Sequence, residues 1–247
     1  MKYRVTLTPL EPFVFGGDIT FGNKGDTTNS SYLIKSRLFP QQSALLGMVK
    51  KEMMIQAGVL TQKVKGIWVD SADKPKARSL VGEGKFNIFS NELQEMGCIK
   101  SIGEVFLIQD GLRYIKKVDI DSYCYDDGFL KNYNAKKDIY DNYICIDNQN
   151  TKQCKDIFVE HEQVGNKIGG EENSLFKKTA LTLNDGFAFA FYMECDYALI
   201  NSIVSLGADG SSFKFEVIED NSNLDYQDSK GYLTLLSDSY INIALKE

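Results

Sequence analysis

His161 is the only histidine in the 247-residue chain, and histidine is the side chain best suited to acid–base catalysis at neutral pH. A single histidine without a recognisable partner is more often a structural or contact residue. The carboxylate pairs Asp126-Asp127 and Glu171-Glu172 lie in polar segments, which is typical of solvated surface rather than of a glycosidase or metal site. The sequence therefore contains no self-evident catalytic group, and it favours a binding or assembly role.

Nucleotide and metal motifs are also missing from the sequence. There is no GxxxxGK[ST] or GxGxxG pattern, so neither a P-loop nor a Rossmann cofactor site is expected. The five cysteines are widely spaced without a CxxC pair, which argues against a disulfide framework and a zinc site. No apolar run approaches the roughly 20 residues of a membrane helix, and residues 1–10 lack a signal-peptide core. We expect a cytoplasmic protein with reduced thiols and without a cofactor.

The charge distribution is uneven along the chain. The formal net charge is −6, which by itself argues against a nucleic-acid partner. Residues 24–78, however, contain ten Lys or Arg against four Asp or Glu, while the rest of the chain contains 18 against 30. This asymmetry indicates one surface that meets phosphate and another that meets solvent or a basic partner. A chance cluster of solvated lysines gives the same count, so both interpretations stay open.

The N-terminal half alternates between strand, loop and helix patterns. Residues 3–8 alternate apolar with polar and predict a strand that ends at Pro9. Residues 16–31 are rich in Gly, Asn, Asp and Thr and predict a long loop. A helix is predicted after Pro40, with Ser43 as its N-cap and Gly58 as its stop. Its buried stripe is expected to consist of Leu46, Val49, Met53 and Ala57. The free N–H groups at such a helix start are a natural seat for phosphate.

The C-terminal half contains a hairpin signal and several strand patterns. Asp110-Gly111 between two apolar runs predicts a hairpin over residues 105–115. Residues 119–156 are polar without clear periodicity and predict an extended insertion. Strands are expected at 187–192, 213–217 and 232–236, with a short helix at 197–206 that ends at Gly207. Mixed helices and hairpin-connected strands indicate an α+β class compatible with βαββαβ units.

Four segments, taken together, resemble the repeat-associated (RAMP) proteins of CRISPR effector complexes. The first, FPQQSALLGM at residues 39–48, is similar to the block that opens the first helix of these proteins. The second, GEVFL at residues 103–107 through DGLRY at 110–114 and on to Val118-Asp119, is similar to a hairpin segment of the third subunit of the type III-B (Cmr) complex. The third comprises residues 160–167, 174–177 and 187–194, and the fourth is the glycine-containing segment 204–213. Their order and spacing extend the resemblance over most of the chain.

The sequence departs from the family pattern at several positions. Lys116 and Lys117 stand where the family often has prolines, and Ala208 and Asp209 replace a glycine and a glutamate of the glycine-rich loop. Family members also continue beyond the final strand, so the resemblance implies a shortened C-terminal unit. These departures concern the hairpin, the loop and the last unit, and they leave the helix-opening segment intact.

The resemblance implies two modified ferredoxin-like (RRM-like) units, at residues 1–118 and 157–247, separated by the polar insertion 119–156. It further implies a subunit without catalytic activity that binds the 5′ repeat-derived tag of the guide RNA. The implied partners are the guide RNA, the large polymerase-like subunit and a backbone RAMP subunit. No small-molecule substrate, cofactor or membrane is implied.

Groups that can hold a single-stranded tag are backbone N–H groups of glycine loops and helix starts, cationic side chains for phosphates, and surfaces for splayed bases. We expect the glycines to allow close backbone approach to RNA or to a neighbouring subunit. The predicted RNA-binding residues are Arg37, Gln41, Gln42, Ser43, Lys50, His161, Gln163, Asn166, Lys167, Gly207 and Gly210.

Other interpretations of the same residues stay open. Related proteins cleave RNA without a metal, and in a repeat-processing endoribonuclease His161 would be the acid or base with Lys167 or Lys178 steadying the charged transition state. The chain also fits the equivalent subunit of the type III-A complex. Residue by residue, Arg37 and Lys50 fit a solvated surface, and Gly207 fits a plain helix stop.

Overall fold

A computed structural model of the chain describes residues 1–16, 19–21, 32–60, 63–64, 67–68, 74–82, 95–116, 124–126, 129–131, 142–166 and 175–222. The helices in these ranges are α1 (Gln42–Gln56) and α2 (Lys74–Val81), and Cys154–Asp156 forms a 3₁₀ turn. Neither of these two helices is long and apolar enough to cross a membrane. The strands are β1 (Lys2–Pro9), β2 (Ile19–Phe21), β3 (Tyr32–Lys35), β4 (Lys63–Val64), β5 (Ile67–Trp68), β6 (Ile99–Ile102), β7 (Phe106–Gln109), β8 (Leu112–Lys116), β9 (Cys124–Asp126), β10 (Phe129–Lys131), β11 (Asn142–Cys145), β12 (Thr151–Gln153), β13 (Phe158–Asn166), β14 (Leu175–Leu183), β15 (Phe187–Cys195), β16 (Ser202–Leu206) and β17 (Ser211–Glu219).

The large sheet is antiparallel throughout and has the strand order β12-β11-β8-β7-β15-β1-β17-β16, with β6 beside β7 on β15. Its central part has the order β17-β1-β15-β7. If these four strands are numbered along the chain (β1 first, β7 second, β15 third, β17 fourth), their order in the sheet is 4-1-3-2. That order is consistent with one ferredoxin-like βαββαβ unit, with α1 between its first two strands. The predicted α+β class is confirmed. Two separate units are not confirmed, because β1 pairs with β15 and β17 across the predicted boundaries.

The core lies on one face of the large sheet, against α1. In β1, the alternating residues Tyr3, Val5 and Leu7 are buried, as the period of two predicts. The strand predictions at 187–192 and 213–217 are likewise confirmed by β15 and β17. Aromatic rings fill much of this core, and its fully buried ones include Phe13, Tyr143, Phe189, Phe191, Phe213 and Phe215. Phe106 belongs to a separate, smaller buried cluster with Ile108, Ile115, Ala188 and Ala190.

Helix α1 forms where it was predicted, with a different cap and a broader buried face. The N-cap is Gln41, with extended φ −68° and ψ 143°, and no side chain caps the helix. Ser43 therefore lies in the first turn, and its predicted role as N-cap is wrong. Of the predicted stripe, Val49 and Met53 are buried, and Leu46 and Ala57 pack partly buried against the core. Leu45, Met48 and Glu52 are buried in addition. Gly58, at φ +66°, ends the helix as predicted.

The Asp110-Gly111 hairpin is confirmed, and the chain beyond it departs from the prediction. Both turn residues have positive φ, 51° and 80°, as a two-residue type I′ turn requires. The segment predicted as an insertion ends in β11 and β12, which extend the large sheet beyond β8. Tyr143 and Cys145 are fully buried there. A polar composition concealed two buried positions, so the end of this segment is part of the sheet.

The helix predicted at 197–206 is wrong, because β16 occupies its second half. Ser202, Val204 and Leu206 alternate toward the core, and β17 supplies the hydrogen-bonding partner that a strand needs. The preceding coil is held by α1: the Gln56 amide donates to the Ile200 carbonyl at 2.9 Å and accepts from the Ile200 N–H at 3.1 Å. Part of the loop predicted at 16–31 forms β2, paired with β3. The strand predicted at 232–236 lies outside the described residues.

A second sheet has the order β13-β14-β3-β2. We call its long hairpin, β13 with β14, the arm. The base of the arm is joined to the segment before α1 and to the loop after β1. Phe13 and Leu181 exchange two backbone hydrogen bonds of 2.8 and 2.9 Å, and the Ser36 N–H donates to the Thr179 carbonyl at 3.1 Å. The arm is therefore held by backbone bonds at Thr179 and Leu181 of β14, and β3 pairs with β14 from Phe176 to Thr179.

Candidate nucleic-acid interface

The arm presents a polar face that begins where its buried part ends. Gln163 pairs with Lys178 and His161 pairs with Ala180 across the hairpin, so these side chains share one face, since alternate residues of a strand point to the same side. We call this the His161 face. The side chains from Val159 to Val164 are exposed, which means that both faces of β13 meet solvent beyond Phe158.

The His161 ring is held by a neighbouring hydroxyl group. Its Nε2 lies 2.8 Å from Thr182 Oγ1, and whether the nitrogen donates or accepts depends on the tautomer. Thr182 is on β14, on the same face of the arm. This contact orients the ring without supplying a charge, so the geometry suits stacking or hydrogen bonding by the imidazole.

The opposite face of the arm carries paired charges. Lys35 Nζ lies 2.9 Å from Glu160 Oε1, and Lys177 Nζ lies 2.6 Å from Glu162 Oε1. Each lysine is matched by a glutamate, so this face provides little net positive charge. Contacts to phosphate groups must therefore come from cations elsewhere in the molecule.

The turn between β16 and β17 contains both glycines of the predicted loop. Gly207 has φ +94°, and a Cβ built on it would lie 2.6 Å from the Val14 carbonyl oxygen. The next residue, Ala208, donates its N–H to that same oxygen at 2.8 Å. Gly210 has φ +66° with no atom within 4 Å of a built Cβ. Gly207 therefore permits close packing within the chain itself, and Gly210 is open for approach by a ligand.

An ion pair joins this turn to the arm. Lys178 Nζ, on the His161 face, contacts Asp209 Oδ2, between the two glycines. The Lys178 side chain is 18% exposed and that of Asp209 is 47% exposed, so the pair is shielded from solvent mainly on its lysine side. The arm and the glycine turn, which lie in different segments of the sequence, thus form one continuous surface.

Arg37 lies on the other side of the same junction. Its backbone N–H donates to the Phe15 carbonyl at 3.1 Å, while the Phe15 N–H donates to Ser36 Oγ at 2.9 Å. Phe15 also contacts the glycine turn, since its ring lies 3.5 Å from the position of a Cβ on Gly207. Arg37 is exposed, and within the described ranges no carboxylate forms an ion pair with its guanidinium. It is therefore suited to contact a phosphate.

The start of α1 contributes fewer free groups than its sequence indicates. The Gln42 amide donates to the Ile102 carbonyl at 2.7 Å, which uses its donor inside the protein. Gln41 and Ser43 are exposed. Lys50 lies two turns after Ser43 on the same side of the helix. It is half-buried, and this burial lowers the pKa of its ammonium group.

The structure brings together part of the predicted set. His161, Gln163, Gly207 and Gly210 share the surface formed by the arm and the turn, with Arg37 next to it. Asn166 ends β13, with its backbone opposite Leu175. Lys167 lies outside the described residues. Sequence reasoning missed Thr182 and Asp209 as partners of this surface, because a strand pattern predicts which residues alternate but does not give the register between strands.

The described residues include no group of three or more His, Cys, Asp or Glu side chains that could hold a metal ion. Within these ranges the surface consists of an imidazole, amides, a guanidinium and an ion pair. Such groups recognise bases and phosphates through hydrogen bonds, stacking and charge.

No family model and no curated protein matches the sequence. Structural neighbours are chains in two cryo-EM structures of the type III-B Cmr-β complex. One structure is bound to cognate target RNA and AMPPNP, and the other is bound to cognate target RNA. The sequence identities are 15% and 13%, and the TM-score is 0.49 for both. The match covers 91% of this chain, which spans 66% of the length of those chains.

Proposed function

We propose that this chain is a non-catalytic, RNA-binding subunit of a type III-B CRISPR effector complex. It holds the 5′ repeat-derived tag of the guide RNA and docks on the large polymerase-like subunit. The observation that carries the proposal is the ion pair of Lys178 with Asp209. Asp209 lies in the family-like segment 204–213, and Lys178 directly follows the segment 174–177, on the strand that pairs with β13.

The groups of this surface match the parts of a single-stranded RNA. The Gln163 amide can donate to and accept from a base edge, and the His161 ring offers both a face for stacking and a ring nitrogen. The open turn at Gly210 allows a backbone to approach closely. Arg37 supplies the charge that the arm lacks, so phosphate and base contacts have separate donors.

A non-catalytic role agrees with the surroundings of His161. Acid–base cleavage of RNA needs a second group placed to exchange or stabilise charge at the reacting phosphate. Lys178, on the same face, is paired with Asp209, and Thr182 gives the ring an uncharged hydroxyl. Both contacts favour binding over bond cleavage.

The test is guide-RNA binding by the complex isolated from the native host, with tagged and untagged RNA of equal length. We expect Gln163→Ala and Arg37→Ala each to weaken binding of tagged RNA by about 1 kcal/mol, which is a typical single hydrogen bond or charged contact. The matched control is Val164→Ala, which truncates an exposed side chain on the opposite face of β13 without changing the charge. Its affinity should stay close to that of the unmodified complex.

Two results would contradict this proposal. Equal affinity for tagged and untagged RNA would remove the role in tag binding. Cleavage of repeat RNA by the purified protein, abolished by His161→Ala, would establish the endoribonuclease instead. The subunits that copurify with the chain identify the complex, and a type III-A set would transfer the same role to that complex.

A further inference from the structure

The two described helices carry a dense group of cations. We call the side chains of Lys50, Lys51 and Lys74 the helical basic surface. Lys76 and Arg78 of α2 are cations that make contacts within the chain. The three cations of α2 are exposed, and Lys51 is half-exposed. The one acidic residue in either helix is Glu52, which is buried at 5% exposure and accepts a hydrogen bond from Gln56 at 2.9 Å. The helices therefore present positive charge without a solvent-facing acid of their own.

Helix α2 is docked at the C-terminal end of α1. Lys76 Nζ donates to the Ala57 carbonyl at 3.3 Å, where the partial negative charge of the α1 dipole is concentrated. At 1.5 Å per residue, the 15 residues of α1 span about 22 Å. Its other end follows Arg37 by a few residues. Helix α1 therefore connects the Arg37 side of the candidate interface to α2.

We infer that the helical basic surface is a second, sequence-independent contact for the same RNA, which holds its phosphates along α1 and at the start of α2. This inference rests on the proposed function. It adds that the chain separates recognition of bases, at the arm and the glycine turn, from neutralisation of phosphates, along α1 and α2. Contacts to phosphates position a nucleic acid without carrying sequence information.

The composition of this surface favours nucleic acid over an acidic protein. Protein interfaces depend on aromatic or aliphatic anchors at their centre, whereas phosphates need only cations. None of the large apolar side chains that are well exposed in the described ranges belongs to α1 or α2. Ile200, held by Gln56, is exposed beside the end of α1, and one isoleucine does not make an apolar centre.

The separation of the two contacts decides how long an RNA must be to reach both. At the stacked rise of about 3.4 Å per nucleotide, about six or seven nucleotides cover 22 Å, and an extended strand needs fewer. An RNA of twelve nucleotides that begins with the tag can occupy both.

The experiment compares the double variant Lys51→Gln/Lys74→Gln with the control Lys2→Gln/Lys155→Gln in the assembled complex. The control removes two exposed lysines from other elements. With the 12-nucleotide RNA, the slope of log affinity against log salt should become shallower by about 1.4, at about 0.7 per phosphate contact in single strands. The ratio of the unmodified complex's affinity to that of the double variant should then rise about 25-fold for each tenfold fall in salt concentration. This rise should be the same for tagged and untagged RNA. The control variant should show no change in slope.

The outcomes separate this inference from the proposed function. An unchanged slope with the 12-nucleotide RNA, while Gln163→Ala still weakens binding, overturns the inference and leaves the proposed function intact. Normal RNA binding with failed assembly of the double variant also overturns it, because the surface would then serve an acidic subunit. Failure of the unmodified complex to bind tagged RNA overturns both. If the double variant unfolds at the same midpoint temperature as the unmodified complex, misfolding is excluded as the cause of weaker binding.

Discussion

Strands β13 and β15 are both nine residues long, and each is one half of an antiparallel pairing. In β15, seven of the nine side chains are buried, because β1, β6 and β7 flank it and α1 packs against the same sheet. In β13, the side chains beyond Phe158 are exposed through Val164. The same secondary structure thus has a packed environment in one strand and an aqueous environment in the other.

This difference separates the residues that hold the fold from those that meet a ligand. A buried aromatic ring stabilises by the apolar area it removes from water and by its contacts. An exposed polar side chain contributes little to stability, and it remains available for recognition. We therefore expect substitutions in β15 to change the free energy of unfolding, and substitutions in β13 to change binding.

The largest expected effect is that of Phe189→Ala, at the centre of β15. Its fully buried ring lies 5.4 Å from that of Phe13 and 5.5 Å from that of Phe15, between ring centroids. Truncation leaves a cavity among these rings, and the free energy of unfolding should fall by about 3–5 kcal/mol. Urea denaturation of the purified chain measures the change.

The matched substitution in β13 is His161→Ala, which removes an exposed ring held by one hydroxyl contact. Its unfolding free energy should stay within about 0.5 kcal/mol of the unmodified value. Similar losses for Phe189→Ala and His161→Ala would show that the arm is part of the cooperative core, and the proposed division between the strands would be wrong.

The glycine turn lies between these two environments, and its two glycines sharpen the comparison. Gly207→Ala introduces a Cβ 2.6 Å from the Val14 carbonyl oxygen at φ +94°, and should cost roughly 2–4 kcal/mol from the left-handed backbone and the overpacking together. Gly210→Ala adds a Cβ in open space at φ +66°, and should cost about 1 kcal/mol. Thermal unfolding measures both, and equal losses would contradict the packing role assigned to Gly207.

Local patterns in the sequence predict most of the individual elements. The alternation around Val5 and Phe189, the Asp110-Gly111 turn and the stop at Gly58 each depend on a few neighbouring residues, and each element forms where it was predicted. The elements that differ from the prediction were determined by packing against distant parts of the chain. Packing widened the buried face of α1 to include Leu45, Met48 and Glu52. Residues 202–206 form a strand rather than a helix because they pair with the edge of β17.

The candidate interface depends on contacts that no local pattern contains. His161, Gln163 and the two glycines could be chosen from residue type and family resemblance. The ion pair of Lys178 with Asp209 requires the register of the arm and its position relative to β16 and β17, which follow only from the fold. The Gln42 amide shows that the fold can also remove a predicted contact. It donates to the Ile102 carbonyl because β6 approaches the start of α1.

The smallest expected effect concerns the charged face of the arm. Glu162→Gln removes the partner of Lys177, and both side chains of this pair are largely exposed, at 46% for the lysine and 62% for the glutamate. Water and salt screen such pairs, so the free energy of unfolding should fall by less than about 0.5 kcal/mol. The difference should shrink further in 1 M salt, where the screening length is about 3 Å. A loss above about 1 kcal/mol that persists in high salt would mean that this face is packed against the body, and β13 would then resemble β15 rather than contrast with it.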